Sequence, residues 1–590
     1  MERASLVGMQ LKNALSGERA ACLLGQLGAA VILIIAITVL PSDTTHWEYT
    51  IAVGTVAAFF ALVGLVVQQI ALAERVLFTA PVMGDVNVCG LLAVFLVVWW
   101  GIGTWVITIQ GPFIATGNGY FATWTGFVSA IFGVGVTLPR LRESAKASMS
   151  SLFVLLICSI ATGAELCLRS NGSFFPAAES TFGLCTVTLT AVVIVTIYVH
   201  EIDGNPLDVE RRRPLFVAIL LLWTIAAYWL TFSGPFVGTG NGYFSLWVGL
   251  LVMIKLTVRA STIEATYAKV AEANERYVSM VAQCACGVVL CIAVGYLDES
   301  EKAAFPGYWE YALSVGIVGA VFSFLAGLLV RNSERDTAKK KVLGVQTYSA
   351  YVAFFLFVWW AVGAGVITVE GPFKNTRAIS ANGYFSVWAG FGFSVFGLGL
   401  TKSHAKAASE SGVATLIGLI TCAVVEIVDL APLIADQTAT YKKYENQTLY
   451  ALVVSSIVAF FVSLVLLARY KGKTLGLPWK VVSVSFFILL TIMASWITFT
   501  GPFSATGNGY YAAWLGTMCS LIIALSACFP QLFPTSPTAG GGPAGDVEEP
   551  PAVTEAEIKV DTSSSAEGHT SAPEAAKEEA KPAAAPRADE

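Results

Sequence analysis

Apolar residues along this chain fall in blocks separated by short polar segments. The blocks are about 20 residues long, which is the length that spans a bilayer as a helix. The pattern therefore predicts an all-α integral membrane protein with about sixteen transmembrane helices. The blocks centre near residues 30, 60, 97, 128, 158, 189, 223, 249, 286, 320, 358, 393, 420, 458, 490 and 520.

One polar phrase between the blocks recurs. The stretch from Gly111 reads GPFIATGNGYFATWTG, and similar stretches begin at Gly234, Gly371 and Gly501, at spacings of 123, 137 and 130 residues. A second marker keeps the same period: an acidic residue opens the second block of each set of four, at spacings of 131, 131 and 135 residues. These acidic residues are Glu48, Glu179, Glu310 and Glu445. Two markers with one period predict four copies of a unit of about 130 residues.

Each predicted unit holds four helices. Because four is an even number, every copy enters the membrane in the same orientation, which predicts parallel rather than inverted repeats. The predicted boundaries are a cytoplasmic N-terminus at 1–20, four-helix units at 21–138, 151–257, 278–402 and 412–530, and a tail at 534–590. Residues 541–590 hold 12 Asp and Glu against 4 Lys and Arg and no aromatic residue, so we expect this tail to be disordered and acidic.

The distribution of basic residues predicts the orientation. With the N-terminus in the cytoplasm, the cytoplasmic side of the membrane body holds 25 Lys and Arg and the opposite side holds 6. Since basic residues gather in cytoplasmic loops, both termini are predicted to be cytoplasmic. The sequons at Asn171 and Asn446 fall on the opposite side and are candidate glycosylation sites.

The recurring phrase predicts the outer hairpin between the third and fourth helices of each unit. Proline after glycine ends the third helix, and Asn-Gly tolerates positive φ and predicts a tight turn. Tyr and Trp four residues apart share a helix face and fit an interfacial aromatic belt. A glycine two residues after each Trp permits close helix approach. The motif residues are Gly111, Pro112, Phe113, Asn118, Gly119, Tyr120 and Trp124; Gly234, Pro235, Phe236, Asn241, Gly242, Tyr243 and Trp247; Gly371, Pro372, Phe373, Asn382, Gly383, Tyr384 and Trp388; and Gly501, Pro502, Phe503, Asn508, Gly509, Tyr510 and Trp514.

Two further residue types keep step with the phrase. A threonine stands three residues before each opening glycine, at Thr108, Thr231, Thr368 and Thr498. A tryptophan stands eleven residues before it in three copies, at Trp100, Trp223 and Trp360. Eleven residues of helix span about 16 Å, so this tryptophan is predicted near the middle of the bilayer. A tryptophan there is either a packing residue inside its bundle or part of a cavity for a lipid, sterol or pigment.

Reactive chemistry has little support in the sequence. The eleven cysteines form no CxxC pair and the four histidines are scattered, which disfavours a metal, haem or thiol redox site. No phosphate-binding loop and no nucleophile paired with a base is found. Ionisable residues deep in the blocks are nearly absent; Glu165, Glu426 and Asp429 are expected towards outer helix ends. We therefore predict no catalytic residue, no cofactor and no nucleic-acid partner.

Two functions are compatible with these features. The first is a non-enzymatic membrane protein that organises the lipid bilayer or protein partners, which would bind at the outer hairpins and the cytoplasmic tail. The alternative is a channel or transporter for a neutral or weakly polar solute, with the four threonines near a water-accessible path. The sequence leaves open whether the units form a closed ring or an open row.

Overall fold

The long apolar blocks form helices in the computed structural model of the protein. It describes residues 17–70, 75–80, 84–138, 147–169, 177–202, 212–259, 275–331, 341–342, 346–374, 381–398, 412–435, 442–470 and 477–528. The predicted tail at 534–590 and the sequon residue Asn171 lie outside these residues. All the described residues fall within one compact unit, Met1–Ser536.

Long helices account for nearly all of the described chain. They are α1 (Glu18–Thr38), α2 (Trp47–Val67), α3 (Val88–Trp105), α4 (Asn118–Thr137), α5 (Ala147–Arg169), α6 (Ala178–Ile202), α7 (Arg213–Phe232), α8 (Asn241–Arg259), α9 (Glu275–Gly295), the short α10 (Glu299–Ala304), α11 (Tyr308–Arg331), α12 (Tyr348–Val369), α13 (Ala381–Gly397), α14 (Val413–Ala435), α15 (Glu445–Tyr470), α16 (Leu477–Phe499) and α17 (Asn508–Cys528). In the described part of the chain, 15 helices are long and apolar enough to cross a membrane. The remaining predicted block corresponds to α13, which has 17 residues. The protein is a polytopic helical membrane protein.

Two short β-hairpins depart from the all-α prediction. Strand β1 (Val76–Ala80) pairs antiparallel with β2 (Gly84–Asn87) just before α3. Strand β3 (Lys341–Val342) pairs with β4 (Gln346–Thr347) just before α12. The sequence of β1 is VLFTA, whose branched and aromatic residues favour strands over helices in a polar connection.

Buried apolar side chains form four clusters among the described residues. One cluster lies among α1 to α4, a second among α5 to α8 with Ala381 of α13, a third among α9 to α13 with Phe232 of α7, and a fourth among α14 to α17. The clusters include side chains from the last helix of each group, so that helix packs on its own group with one face. Its other faces are left for contacts with neighbouring groups.

The mid-helix tryptophans lie inside these clusters. Trp100, Trp223 and Trp360 are each 0% exposed. Their rings lie against Gly126, Gly249 and Gly390, where any Cβ would overlap the indole. The structure therefore supports the packing interpretation, and these three glycines make room for a tryptophan ring of the preceding helix.

The acidic markers lie in the first turns of helices. Glu48, Glu179, Glu310 and Glu445 are first-turn residues of α2, α6, α11 and α15. A carboxylate at this position interacts favourably with the helix dipole. The sequon residue Asn446 is exposed in the first turn of α15, and the Thr448 hydroxyl donates to the Tyr444 carbonyl at 2.9 Å. Glycosylation there stays a prediction.

Candidate functional site

The four recurring phrases share one turn geometry. We call the segments that begin at Gly111, Gly234, Gly371 and Gly501 hairpins 1 to 4. In each, the phenylalanine N–H donates to a carbonyl six residues earlier, at the end of the preceding helix. The four bonds are Phe113 to Ile107 at 3.1 Å, Phe236 to Leu230 at 3.0 Å, Phe373 to Ile367 at 3.4 Å and Phe503 to Ile497 at 2.9 Å.

The Asn-Gly pair does not form the tight turn that the sequence predicts. Asn118, Asn241 and Asn508 are the first residues of α4, α8 and α17, and Asn382 is the second residue of α13. None of the following glycines has positive φ. Each glycine is instead covered by the phenylalanine of its own hairpin, and a Cβ there would overlap the phenyl ring. The prediction was wrong because glycine serves here as space for a side chain rather than as a flexible backbone.

Each tryptophan of the phrase reaches into the next hairpin. The Trp124 indole N–H donates to Asn241 Oδ1 at 2.9 Å. Trp247 donates to Asn382 Oδ1 at 3.0 Å and Trp388 to Asn508 Oδ1 at 3.1 Å. Each asparagine thus accepts a hydrogen bond from the hairpin before it in the chain.

The same asparagines also donate to the preceding hairpin. Asn241 Nδ2 donates to the carbonyl of Thr108 at 2.9 Å and to its hydroxyl at 3.0 Å. Asn382 bonds Thr231 in the same way, and Asn508 bonds Thr368. We call each set of one asparagine with the threonine and tryptophan of the preceding hairpin an asparagine clasp. Both ends of the amide are used, so the clasp fixes its orientation.

A fourth clasp joins the last hairpin to the first. Asn118 Nδ2 donates to Thr498 Oγ1 at 3.1 Å, and Trp514 donates to Asn118 Oδ1 at 3.0 Å. Tyr510 also donates to Asn118 Oδ1, at 2.9 Å. The contacts between hairpins therefore form a closed circuit that runs in one direction through all four.

The tyrosines of the phrase are buried rather than placed in an interfacial belt. Tyr120, Tyr243, Tyr384 and Tyr510 are between 3% and 4% exposed. Each ring packs on the next hairpin's aromatic residue, in the pairs Tyr120–Phe244, Tyr243–Phe385, Tyr384–Tyr511 and Tyr510–Phe121. The belt interpretation of these tyrosines was wrong because their rings serve the contact between hairpins.

The residues after these tyrosines meet one another. The ring centroids of Phe121, Phe244, Phe385 and Tyr511 lie 6.4, 6.0, 6.3 and 6.2 Å apart in a closed sequence of four contacts. Two of these contacts are tilted and two are edge-to-face, and both arrangements are favourable for aromatic pairs at this separation. We call these four side chains the aromatic circuit.

Threonine hydroxyls from three of the hairpins also meet. Thr116 Oγ1 lies 2.7 Å from Thr239 Oγ1 and 3.1 Å from Thr506 Oγ1, and all three residues are buried. They occupy equivalent places in hairpins 1, 2 and 4, two residues before the asparagine. The corresponding Ser380 of hairpin 3 lies outside the described residues. Thr116 thus contacts both other hydroxyls, which leaves no open passage between Thr116 and either of them.

The clasp threonines are also enclosed. Thr108, Thr231, Thr368 and Thr498 are at most 3% exposed. Each hydroxyl donates to the carbonyl four residues earlier, as Thr108 does to Thr104 at 2.7 Å. Their second role is to accept the clasp hydrogen bond. This arrangement does not favour a water-accessible path along these four side chains.

Glu165 and Glu426 are buried and Asp429 is half-buried, so these carboxylates are more enclosed than the sequence indicates. Glu165 is 3% exposed, and its Oε1 accepts from Asn241 Nδ2 at 3.2 Å. Asp429 Oδ2 accepts from the Gly509 N–H at 2.9 Å, at the start of α17, where the helix dipole favours an anion. Glu426 is 2% exposed and accepts from Ser455 Oγ. The sequence contained one signal for this burial, because each carboxylate lies three or more turns into an otherwise apolar helix. The same positions are also compatible with the outer ends of the helices, which is where the sequence analysis placed them.

A cavity of about 170 Å³ lies beside one clasp. Its lining includes Thr108 and Trp124 of the clasp together with Trp105, Ile157 and Ile160. The cavity is thus bounded by α3, by the π-helical turn Val106–Gln110 that continues it, and by α4 and α5; its lining does not include Trp100. None of the mid-helix tryptophans, Trp100, Trp223 and Trp360, lines this cavity, so it is not the ligand cavity that the sequence analysis considered.

No known protein family, no characterised protein and no solved structure matched this chain significantly.

Proposed function

We propose that this protein is a non-enzymatic scaffold of the membrane in which four parallel four-helix units close into a ring. Both termini would lie in the cytoplasm, as the basic loops predict. The observation that carries the proposal is the fourth asparagine clasp, because it joins hairpin 4 to hairpin 1. In an open row of units, Asn118 of hairpin 1 would have no bond to Thr498 and Trp514 of hairpin 4.

The direction of the clasps supports units of one orientation. Each asparagine bonds the hairpin that precedes it, so every unit presents one surface to the unit before and a different surface to the unit after. Contacts of this head-to-tail kind close into a ring when the rotation between neighbours allows it. Parallel repeats generate such contacts, whereas inverted repeats would alternate them.

A scaffold explains why buried polar side chains form hydrogen bonds between the units. Hydrogen bonds between membrane helices contribute on the order of 0.6 to 2 kcal/mol each. Asn241 alone makes contacts with Thr108, Trp124 and Glu165. Four such clasps would hold the units in a fixed arrangement, with the outer hairpins and the acidic tail as the places where protein partners bind.

A channel or transporter for a neutral or weakly polar solute is the second candidate. The aromatic circuit favours it, because four aromatic side chains that meet at one place could close a pore that runs between the units. In that case, movement of these side chains would open a path for the solute. The scaffold requires no such opening.

Solute flux separates the two candidates. We expect vesicles that contain the purified protein to take up glycerol or urea no faster than protein-free vesicles, measured by stopped-flow light scattering. Flux well above that of the empty vesicles, reduced by Phe244→Trp in the aromatic circuit, would contradict the scaffold and support the channel. Phe59→Trp on α2 is the matched control, because Phe59 is 59% exposed and lies outside the circuit.

A further inference from the structure

The last helices of the four groups, α4, α8, α13 and α17, each have an exposed face that begins at the aromatic circuit. Residues four, seven and eleven positions after a helical residue lie on its face of the helix. Counted from the circuit residues, these positions define what we call the axial stripes. They are Thr125, Val128 and Phe132; Val248, Leu251 and Lys255; Ala389, Gly392 and Phe396; and Leu515, Met518 and Ile522.

The stripes are not covered by described residues. Phe132 is 65% exposed, Leu251 is 63% and Leu515 is 57%. The opposite face of α4, with Ala122 and Ala130, is buried in its own bundle. Each stripe continues the face on which its aromatic side chain meets its two neighbours in the aromatic circuit. In a closed ring the four stripes would therefore face one central axis. In that arrangement the stripes would line an apolar chamber next to the aromatic circuit.

Water is a poor occupant for such a chamber. Exposing apolar surface to water costs about 25 cal/mol per Å², and narrow apolar passages in membrane proteins lose their water. Ten of the twelve stripe residues carry no polar side-chain atom; Thr125 and Lys255 are the exceptions. One end is closed by the aromatic circuit and by the hydroxyls of Thr116, Thr239 and Thr506. Acyl chains that enter from the other end match this lining.

Lys255 supplies the polar contact at that other end. It lies eleven residues beyond Phe244 along α8, a distance of about 16 Å, and it is exposed. None of the described residues forms an ion pair with it. An ammonium at the mouth of an apolar chamber favours an anionic headgroup above the acyl chains.

We propose that the chamber binds an anionic phospholipid, with its acyl chains along the axial stripes and its phosphate at Lys255. This inference rests on the ring of the proposed function, because only a ring brings the four stripes together. In the predicted orientation the headgroup lies in the cytoplasmic leaflet. The lipid completes the packing of the scaffold from inside.

Native mass spectrometry of the full-length, delipidated protein tests the proposal. The probes are phosphatidylglycerol and phosphatidylcholine, each with one palmitoyl and one oleoyl chain. We expect phosphatidylglycerol to bind more tightly, and Lys255→Gln to weaken it about fivefold with little effect on phosphatidylcholine. Leu251→Trp should fill the chamber and weaken both lipids at least tenfold. The matched controls are Lys480→Gln and Leu221→Trp, which change exposed residues of α16 and α7 outside the stripes.

Two outcomes would overturn the proposal. One is equal binding of phosphatidylglycerol to the wild type and Lys255→Gln, and the other is unchanged binding of both lipids to Leu251→Trp. A disulfide between Thr116→Cys and Thr506→Cys, formed in the same preparations, reports on the ring independently of lipid. Bridging without lipid binding contradicts only the lipid proposal, whereas absence of bridging contradicts the ring as well. Bridging in the Leu251→Trp background also shows that this variant is folded.

Discussion

Substitution of Gly249 by alanine is expected to destabilise the protein by about 3 kcal/mol or more, because the added methyl group overpacks a filled core. The six-membered ring of Trp223 occupies the space where a Cβ at Gly249 would lie. Trp223 is 0% exposed, and its indole N–H donates to Thr190 Oγ1 at 2.9 Å. The ring therefore cannot move aside without losing that hydrogen bond. The loss is measured as the free energy of unfolding in detergent micelles.

Gly516→Ala is the matched control. Gly516 occupies the same place in α17, but Leu490 stands where the other copies have tryptophan. A Cβ at Gly516 would lie 3.4 Å from Cys422 Cβ, which is an ordinary contact. We expect this variant to unfold within about 1 kcal/mol of the wild type, since helix propensity also favours alanine. Equal losses at Gly249 and Gly516 would show that the tryptophan is not the cause.

Asn241→Asp is expected to be the most damaging change in a clasp. It removes both donor contacts to Thr108 and places a carboxyl group beside Glu165. The acceptor for Trp124 is kept, so the loss reports on the donor side. Buried polar groups left without partners cost about 1–3 kcal/mol each, and we expect a loss of about 3 kcal/mol or more. Thermal unfolding followed by circular dichroism measures it.

Asn118→Asp provides the comparison for that experiment. Asn118 is only partly buried, and its amide donates to the hydroxyl of Thr498. No carboxylate is found beside it among the described residues. We expect Asn118→Asp to lose about half as much stability as Asn241→Asp. Asn241→Asp should remain the less stable of the two variants at every detergent concentration. A larger loss at Asn118 would contradict the importance that we assign to Glu165.

The sequence predicts the helices and the existence of the hairpins but not how the hairpins meet. Length and hydropathy decide whether a segment can span a membrane, and both are local properties. Whether Trp124 lies at the membrane surface or bonds Asn241 depends on a partner 117 residues away. The spacing of Tyr and Trp is the same in both cases. Only the three-dimensional arrangement distinguishes an aromatic belt from a clasp.

The glycines show the same limitation at shorter range. Asn-Gly is typical of tight turns, yet Gly119 is helical and lies under the ring of Phe113. The signal for this role was present in the sequence, because Gly-Pro-Phe precedes Asn-Gly in all four copies. Co-occurrence alone does not reveal which pair of residues is in contact. The contact between Gly119 and Phe113 becomes apparent only in the folded structure.

Hairpin 3 shows what the clasp requires. It is four residues longer than the others, and its Lys374 pairs with Glu370 at 3.5 Å. Asn382 nevertheless makes the same contacts with Thr231 and Trp247 as its counterparts do with theirs. The insertion is tolerated because the asparagine is positioned by the first turn of α13 and not by the length of the spacer. A sequence comparison that requires equal spacers would exclude this copy.

Disulfide formation between hairpins 1 and 4 tests the closed ring most directly. Thr116 and Thr506 would be changed to cysteine in a background without native cysteines, with a protease site placed between residues 203 and 211. The two hydroxyls are 3.1 Å apart, close enough for cysteines there to approach the geometry of a disulfide. The neighbouring pair Thr116→Cys and Thr239→Cys, whose hydroxyls are 2.7 Å apart, is the control that bridges in a ring and in a row alike. A closed ring predicts that both pairs hold the cleaved chain together after mild oxidation. Bridging by the control pair alone would show an open row and contradict the ring.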